Sequence, residues 1–359
     1  MKILVTGVTG FTGGHVGRAL AKRGHAVRAL VRREEDAARV REAGIEVALG
    51  DLRDAGAVER AVEGVELVYH IAAAFRVAGQ PDGFYRDVNV GGTRNVLNAA
   101  RKHTVRRVVY CSTVGVHGEV GREPVDESAP FNPGDIYQRT KVEAEQLAAA
   151  AFAHDLPGVI FRPGGIYGPG DTRFLKLFRA VYRGRFVMLG SGEVHYQLVY
   201  IDDLVEGILL CGQRDNAPGN VYILTGEPVI TLNQFVRYVA DAVGVKPPRW
   251  RVPLWPVKVA AHACEWVCRP LRIPPPIYPR RVDFFCKERA FKIDKARREL
   301  GFEPKVAPAE GLRRTAEWYF ERGHLESQKA KGERRKERDE GTEGRRDAGE
   351  EERHEGTKG

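Results

Sequence analysis

Tyr137 and Lys141 stand four residues apart in Asp135-Ile136-Tyr137-Gln138-Arg139-Thr140-Lys141-Val142-Glu143. The stretch has helical character, so this spacing puts a phenol and an ammonium on one helix face. Such a pair can do proton chemistry. A tyrosine with an ordinary pKa of about 10 is a poor base near neutrality. A cation one turn away favours the phenolate and draws its pKa toward the working range. The phenol can then take a hydroxyl proton as the carbon beneath it loses a hydride, or return that proton in the reverse direction. Y-x-x-x-K is common by chance, and its meaning depends on what precedes it.

What precedes it reads as a phosphate cradle. Thr6-Gly7-Val8-Thr9-Gly10-Phe11-Thr12-Gly13 spaces its glycines as G-x-x-G-x-x-G, directly after an apolar run and at the opening of a helical pattern. Gly7 and Gly10 permit a tight turn and let backbone N–H groups, with those of Phe11 and Thr12, approach a diphosphate. Gly13 lets the helix pack close to the strand with its positive end toward the phosphates. The strand before and the helix after make the motif far more specific than glycines alone. The predicted ligand is a nicotinamide dinucleotide, and Tyr137 with Lys141 would face its ribose.

The end of the second strand selects the dinucleotide. NAD sites usually carry a carboxylate there for the ribose 2′-hydroxyl, whereas NADP sites use arginine around a 2′-phosphate. Leu30-Val31-Arg32-Arg33 offers no carboxylate before Glu34, which predicts NADP in preference to NAD, with Arg32 as the clamp and Arg33 in support. Solvated charges at a helix start are the alternative. In Gly50-Asp51-Leu52, Asp51 is placed to meet the adenine amino group or, equally, to cap the following helix.

Elements alternate through the first half. Ile3 to Thr6, Val27 to Val31, Ile45 to Leu49, Leu67 to Ile71 and Val108 to Cys111 read as strands; Gly13 to Arg23, Glu34 to Ala43, Gly56 to Val62 and Tyr85 to Lys102 read as helices. Near-continuous apolar strands between helices predict a doubly wound parallel (Rossmann) sheet covered on both faces. Residues 1–165 are expected to form this α/β dinucleotide domain, with a segment near 198–225 returning to it. Val199 to Asp203 and Val221 to Thr225 read as the late strands. Residues 166–326 would form mainly a smaller, discontinuous C-terminal substrate domain.

Ser327 to Gly359 carries ten Lys/Arg and ten Asp/Glu and no aromatic residue, a composition that favours a disordered tail. The net charge of +9 therefore resides in the remainder, where it suits an anionic cofactor or substrate. No basic stripe interleaved with aromatics points to nucleic acid. Five cysteines without metal-ligand spacing, Cys264 and Cys268 among them, read as buried thiols in a reducing compartment. No metal is expected. With no apolar run near the roughly 20 residues of a membrane span and no secretory leader, the expected location is the cytoplasm.

The chain also resembles the extended short-chain dehydrogenase/reductase family, the NAD-dependent epimerase/dehydratase family, from Met1 to about Leu325. The resemblance rests on Thr6 to Gly13, His70-Ile71-Ala72-Ala73, Asn89-Val90-Gly91-Gly92-Thr93, Cys111-Ser112-Thr113, Tyr137 to Lys141, Arg162-Pro163-Gly164-Gly165-Ile166-Tyr167-Gly168-Pro169 and Tyr200-Ile201-Asp202-Asp203. It implies that Tyr137 is the general acid/base, Lys141 its partner and ribose ligand, and Thr113 the hydroxyl that polarises the substrate oxygen, with Ser112 as the alternative register. It also implies that Ala72 and Ala73 border the nicotinamide half, that Pro163 and Gly164 meet the carboxamide, and that Asn89 is a structural or cofactor-side amide. Asp51 and Leu52 would complete the adenine end. Gly165 stands where sugar-nucleotide epimerases commonly have Asn, which weakens that substrate class. Other stretches are similar to the 3β-hydroxysteroid dehydrogenase and dihydroflavonol reductase branches, and homodimers paired through helices are common in the family.

The function expected is hydride transfer to or from a secondary alcohol or ketone, sugar-nucleotide or sterol-like, by a dehydrogenase, reductase or epimerase. Two other readings are a sterol-type enzyme at a membrane surface and a non-catalytic dinucleotide sensor. The first rests on the apolar stretch from Leu254 to Cys268, with Trp255, Val259, Ala263, Trp266 and Val267 on one side, although core packing is the preferred account of that stripe. The intact Thr113, Tyr137 and Lys141 argue against the sensor. His195 reads as a solvated or core histidine. Arg280 and Arg281 divide evenly between surface charge and a contact for an anionic substrate.

Overall fold

The computed structural model describes residues 1–75, 77, 79–257, 259–260 and 279–326. Cys264, Cys268, Ala263, Trp266, Val267, the side chains of Arg280 and Arg281, and the tail from Ser327 lie outside the described residues.

Strands and helices alternate from the first residue: β1 (Lys2–Thr6), α1 (Phe11–Lys22), β2 (Ala26–Val31), α2 (Glu34–Glu42), β3 (Glu46–Leu49), α3 (Ala55–Val62), β4 (Leu67–His70), α4 (Asp82–Arg86), α5 (Gly92–Lys102), β5 (Arg107–Cys111), α6 (Ile136–His154) and β6 (Gly158–Pro163). The later elements are β7 (Gly165–Tyr167), α7 (Leu175–Tyr182), β8 (Met188–Leu189), β9 (His195–Tyr196), β10 (Leu198–Tyr200), α8 (Ile201–Gln213), β11 (Val221–Leu224), β12 (Ile230–Thr231), α9 (Leu232–Ala242), β13 (Arg251–Val252), α10 (Pro279–Cys286), α11 (Asp294–Leu300) and α12 (Pro308–Glu321).

Seven strands form one sheet in the order β11-β6-β5-β4-β1-β2-β3, all parallel. The order reverses at β1, which pairs with β2 on one side and β4 on the other. That switch point opens a crevice at the carboxyl ends of the strands, where ligands bind in such sheets. Side chains alternate along each strand. Ile3 and Val5 join the core under α1 and α8, whereas Leu4 joins the one under α3, α5 and α6.

Two sequence expectations are corrected. Val199 to Asp203 is not one strand: β10 ends at Tyr200 and pairs with β7, off the main sheet. Ile201 begins α8, whose first turn holds Asp202 and Asp203, where carboxylates complement the helix dipole. The helix expected from Tyr85 to Lys102 is an unbroken helical run from α4 into α5, which begins at Asp82 and carries a π-turn at Asp87–Gly91. The apolar stripe after Leu254 is not core packing where it is described, because Trp255 is 71% and Val259 62% exposed. β11 does return to the main sheet, beside β6.

Candidate active site at the switch point

The glycine loop is built by close approach. Gly7 has φ +78°, and a Cβ there would lie 2.9 Å from the Ala72 backbone. A Cβ on Gly13 would come 2.2 Å from the Gly7 carbonyl oxygen. Helix α1 therefore starts against the end of β1, and its N-cap, Gly10, brings no side chain to satisfy the first N–H groups. Phe11, Thr12 and Gly13 begin a helix whose free donors suit a diphosphate. A bound dinucleotide fits this cradle.

At the adenine end the predicted residues divide. Arg32 follows β2 and is exposed, close enough to Asp51 to act on its charge. Arg33 turns away to the first turn of α2, its Nε donating to Asp36 at 2.9 Å. Asp51 does not cap a helix: Asp54 does, accepting the Ala57 N–H at 3.1 Å. Arg53 grips both oxygens of Asp51 at 3.0 and 2.9 Å, which holds that carboxyl below its usual range. The Leu52 side chain is buried and faces Gly92.

At the end of β4 runs a buried hydrogen-bond chain. Thr6 Oγ1 accepts the N–H groups of Ile71 and Ala72, each at 3.1 Å, and lies 2.8 Å from His70 Nδ1. His70 Nε2 lies 3.1 Å from Thr93 Oγ1, which donates to the Asn89 carbonyl at 2.6 Å. Since the Thr93 proton is committed, His70 must donate from Nε2 and accept at Nδ1. Burial lowers the His70 pKa to about 3, with Lys141 adding to the effect, so the ring is neutral. Asn89, in the π-turn, accepts the Ala74 N–H at 2.7 Å and donates to Thr140 at 3.0 Å. Asn89 thereby ties the loop after β4 to α6. Ala73 lies in that loop. Pro163 ends β6, and Gly164 donates to the Leu224 carbonyl at 3.1 Å with Thr225 at the place of a Cβ.

Helix α6 carries Tyr137 in its first turn and Lys141 one turn later, and Asp135 caps it by accepting the Gln138 N–H at 2.8 Å. The Tyr137 ring packs edge-on against Phe75, centroids 4.9 Å apart. Lys141 is 3% exposed. Its ammonium donates to the Tyr110 hydroxyl at 2.8 Å and to the Cys111 carbonyl, and lies 4.4 Å from the Tyr110 ring centroid. Burial brings the Lys141 pKa down to about 8. The Tyr110 phenol also meets Thr93, so the lysine joins the chain that begins at Thr6.

Thr113 and Ser112 face opposite ways. Ser112 points into a buried ion pair and donates to Glu145, which Arg162 Nε reaches at 3.1 Å. His117 completes the cluster: its Nδ1 bonds the Pro130 carbonyl and its Nε2 accepts from Arg162 at 3.0 Å. Thr113 caps the short turn Val114–His117 by accepting the Gly115 N–H at 3.0 Å. A Cβ on Gly115 would lie 3.2 Å from Thr113 Oγ1 and 3.3 Å from Gln138 Nε2, which puts this hydroxyl beside the start of α6. His195 is half-buried with its Nδ1 2.9 Å from Glu288.

Sequence reading missed Tyr110, Thr93 and Glu145. Glu145 had a signal, because it stands four residues after Lys141 on the face that buries Ala144 and Ala148. Tyr110 had none, since its contact with Lys141 joins β5 to α6. Among the described residues no cluster of His, Cys, Asp or Glu could hold a metal ion, and no helix is long and apolar enough to cross a membrane.

A doubly wound sheet with a glycine cradle at its switch point, beside a Tyr–Lys helix, defines a dinucleotide-dependent oxidoreductase. Residues 3–224 match the model of the NAD dependent epimerase/dehydratase family, and the chain belongs to that family. It is 34% identical over 319 residues, 87% of this chain and 95% of the relative, to 4-hydroxy-2-methyl-3-oxo-4-farnesyl-3,4-dihydroquinoline-1-oxide ketoreductase of Stigmatella aurantiaca. It is 32% identical to a 3 beta-hydroxysteroid dehydrogenase/Delta 5-->4-isomerase of Mycobacterium tuberculosis, covering 89% of this chain and 90% of that one. The crystal structure of gox2253 superimposes with a TM-score of 0.78 at 32% identity, covering 90% of this chain and 99% of that one.

Proposed function

We propose that this chain is an NADP-preferring oxidoreductase acting on an apolar ketone or secondary alcohol rather than on a sugar nucleotide. One observation carries the reading: Tyr137 and Lys141 share the start of α6, the lysine is anchored inside, and the Thr113 hydroxyl stands beside that turn. The dinucleotide, when bound, supplies or accepts the hydride. Thr113 holds the substrate oxygen by a hydrogen bond. Tyr137 gives its proton to that oxygen as the ketone is reduced, or takes it as the alcohol is oxidised. Lys141, with two of its three donors on Tyr110 and Cys111, keeps one for the ribose and lends its charge to the phenolate.

The substrate class rests on this chain's own walls. At Gly165, a Cβ would stand 3.0 Å from Leu198 and 3.4 Å from the Tyr196 ring, so an amide side chain for a substrate diphosphate has no room without repacking. Nearby, the half-buried Tyr196 stacks on the buried Phe235 at 5.6 Å and meets Phe284 and Phe174 edge-on, an aromatic cluster whose open edge would suit rings or chains. The relatives named for a farnesyl quinoline ketone and a steroid agree with it. For the cofactor, Arg32 is the exposed guanidinium at the end of β2, while Arg33 is held by Asp36.

The test is turnover, followed through reduced-nicotinamide absorbance with 3-keto and 3β-hydroxysteroids and β-keto lipids, and through chromatography of the product sugars with UDP-hexoses, since epimerisation returns the hydride and leaves no net reduced cofactor. Activity on the apolar compounds with NADPH favoured over NADH is expected. Turnover of a UDP-hexose alone would overturn the substrate reading.

A further inference from the structure

The C-terminal half exposes an apolar face that the site does not use. β13 pairs in parallel with β8, Arg251 opposite Met188 and Val252 opposite Leu189, and Met188 donates to the Trp250 carbonyl at 3.0 Å. Alternation along these strands sends Met188 and Arg251 one way and Val187, Leu189, Trp250 and Val252 the other. The first pair, with Phe186, lines a cavity of about 270 Å³. The second set meets solvent: Trp250 is 75% exposed, and Val187 and Val252 are 38% exposed each. The chain then passes Leu254, which packs beside Gly190, and enters helical turns at 254–257 and 259–260. Trp255 and Val259, four residues apart, share one face there. Single exposed apolar residues are ordinary, but two tryptophans this bare beside three valines form a patch that calls for a partner.

The charge around the patch says which partner. Arg183, Arg185, Lys246 and Arg249 are all exposed, and neither 183–192 nor 242–260 contains an aspartate or glutamate. Tryptophan among arginine and lysine, with acids only at its edge (Glu193 and Asp241), matches the chemistry of a bilayer interface: the indoles enter the headgroup layer while the cations meet anionic lipid. A second copy fits poorly. A two-fold contact sets a patch against itself, and here it would oppose cation to cation.

We propose that this face docks the protein on an anionic lipid surface. The inference goes beyond the catalytic reading and is measured without turnover. The full chain should float with vesicles of phosphatidylcholine and phosphatidylglycerol, not with phosphatidylcholine alone, and high salt should release it. Brominated lipid in the anionic vesicles should quench tryptophan emission of the wild-type protein. Each cation near such a surface contributes about fivefold in partition (about 1 kcal/mol). Arg183→Glu, Arg185→Glu and Arg249→Glu together should therefore lower partitioning by about a hundredfold or more. Trp250→Ser with Trp255→Ser should abolish flotation while dinucleotide affinity, the check on folding, stays unchanged. Absence of binding to anionic vesicles overturns the proposal, as does binding that survives both sets of substitutions. A dimer that the tryptophan substitutions split, without any lipid binding, also overturns it and assigns the face to a second copy.

Discussion

Replacing Tyr110 with phenylalanine isolates one hydrogen bond to the buried lysine. The ring that lies 4.4 Å from Lys141 Nζ remains, so the cation–π contact is kept and only the oxygen accepting at 2.8 Å is lost. A hydrogen bond to a charged group contributes about 1.5–3 kcal/mol, and about 1.4 kcal/mol corresponds to one pH unit. The Lys141 pKa, already brought down to about 8 by burial, should fall to roughly 6.5. At pH 7.5 the charged fraction then drops from about three-quarters to about one-tenth, so turnover limited by that charge falls about eightfold. At pH 6 both proteins keep a mostly protonated lysine, and their rates should agree within about a factor of two. The assay is the pH profile of kcat for ketone reduction at saturating NADPH, with dinucleotide Kd as the check on the fold. A defect equal at both pH values, or a profile superimposable on the wild type's, refutes the idea that the phenol holds the ammonium in its charged form.

Four further outcomes follow from the same geometry. Tyr137→Phe should abolish turnover while dinucleotide Kd changes by no more than a few-fold, and retained turnover removes Tyr137 from the chemistry. Arg32→Ala should weaken NADP far more than NAD in calorimetric titration; equal weakening cancels the cofactor preference. Gly13→Ala puts a methyl where the Gly7 carbonyl stands, at 2.2 Å, and should cost at least tenfold in dinucleotide affinity (about 1.4 kcal/mol), whereas unchanged binding would show that the cradle yields easily. Glu145→Gln leaves Arg162, whose side chain is 5% exposed, without its carboxylate. Urea unfolding should report a loss of about 3–5 kcal/mol, and a loss below about 1 kcal/mol would mean that His117 and the Glu127 carbonyl suffice for Arg162.

The fold was legible because its signals are local. β1, β2 and β5 announce themselves as β-branched runs, and the glycines after β1 mark the turn and helix start in consecutive residues. Tyr137 and Lys141 were legible for the same reason, being one turn apart on α6. Arg33 shows where locality stops: its type suits a phosphate clamp, but Asp36 lies three residues on and captures it. Asp51 shows the same: Arg53, two residues away, captures its carboxylate, and Asp54 supplies the cap instead. Trp255 and Val259 were misjudged because an apolar stripe at helical spacing reads identically whether a core or a different phase covers it. Only tertiary placement separates the two.

The polar chain at the end of β4 was illegible because each link joins different elements: β1 to β4 through Thr6 and His70, β4 to α5 through Thr93, β5 to α6 through Tyr110 and Lys141. Its directions are nonetheless forced. Thr93 donates to Asn89, so it can only accept from His70 and Tyr110, and Tyr110 is then left with a lone pair for Lys141. Satisfied at every link, such a network fixes a single arrangement, and a gap in it exposes a buried polar group to a large desolvation penalty. The loop that carries the Ile71 and Ala72 amides and the ammonium that supports Tyr137 therefore share one hydrogen-bonded frame. Displacing His70 should disturb both dinucleotide binding and the proton chemistry, whereas displacing Tyr110 should disturb the second alone.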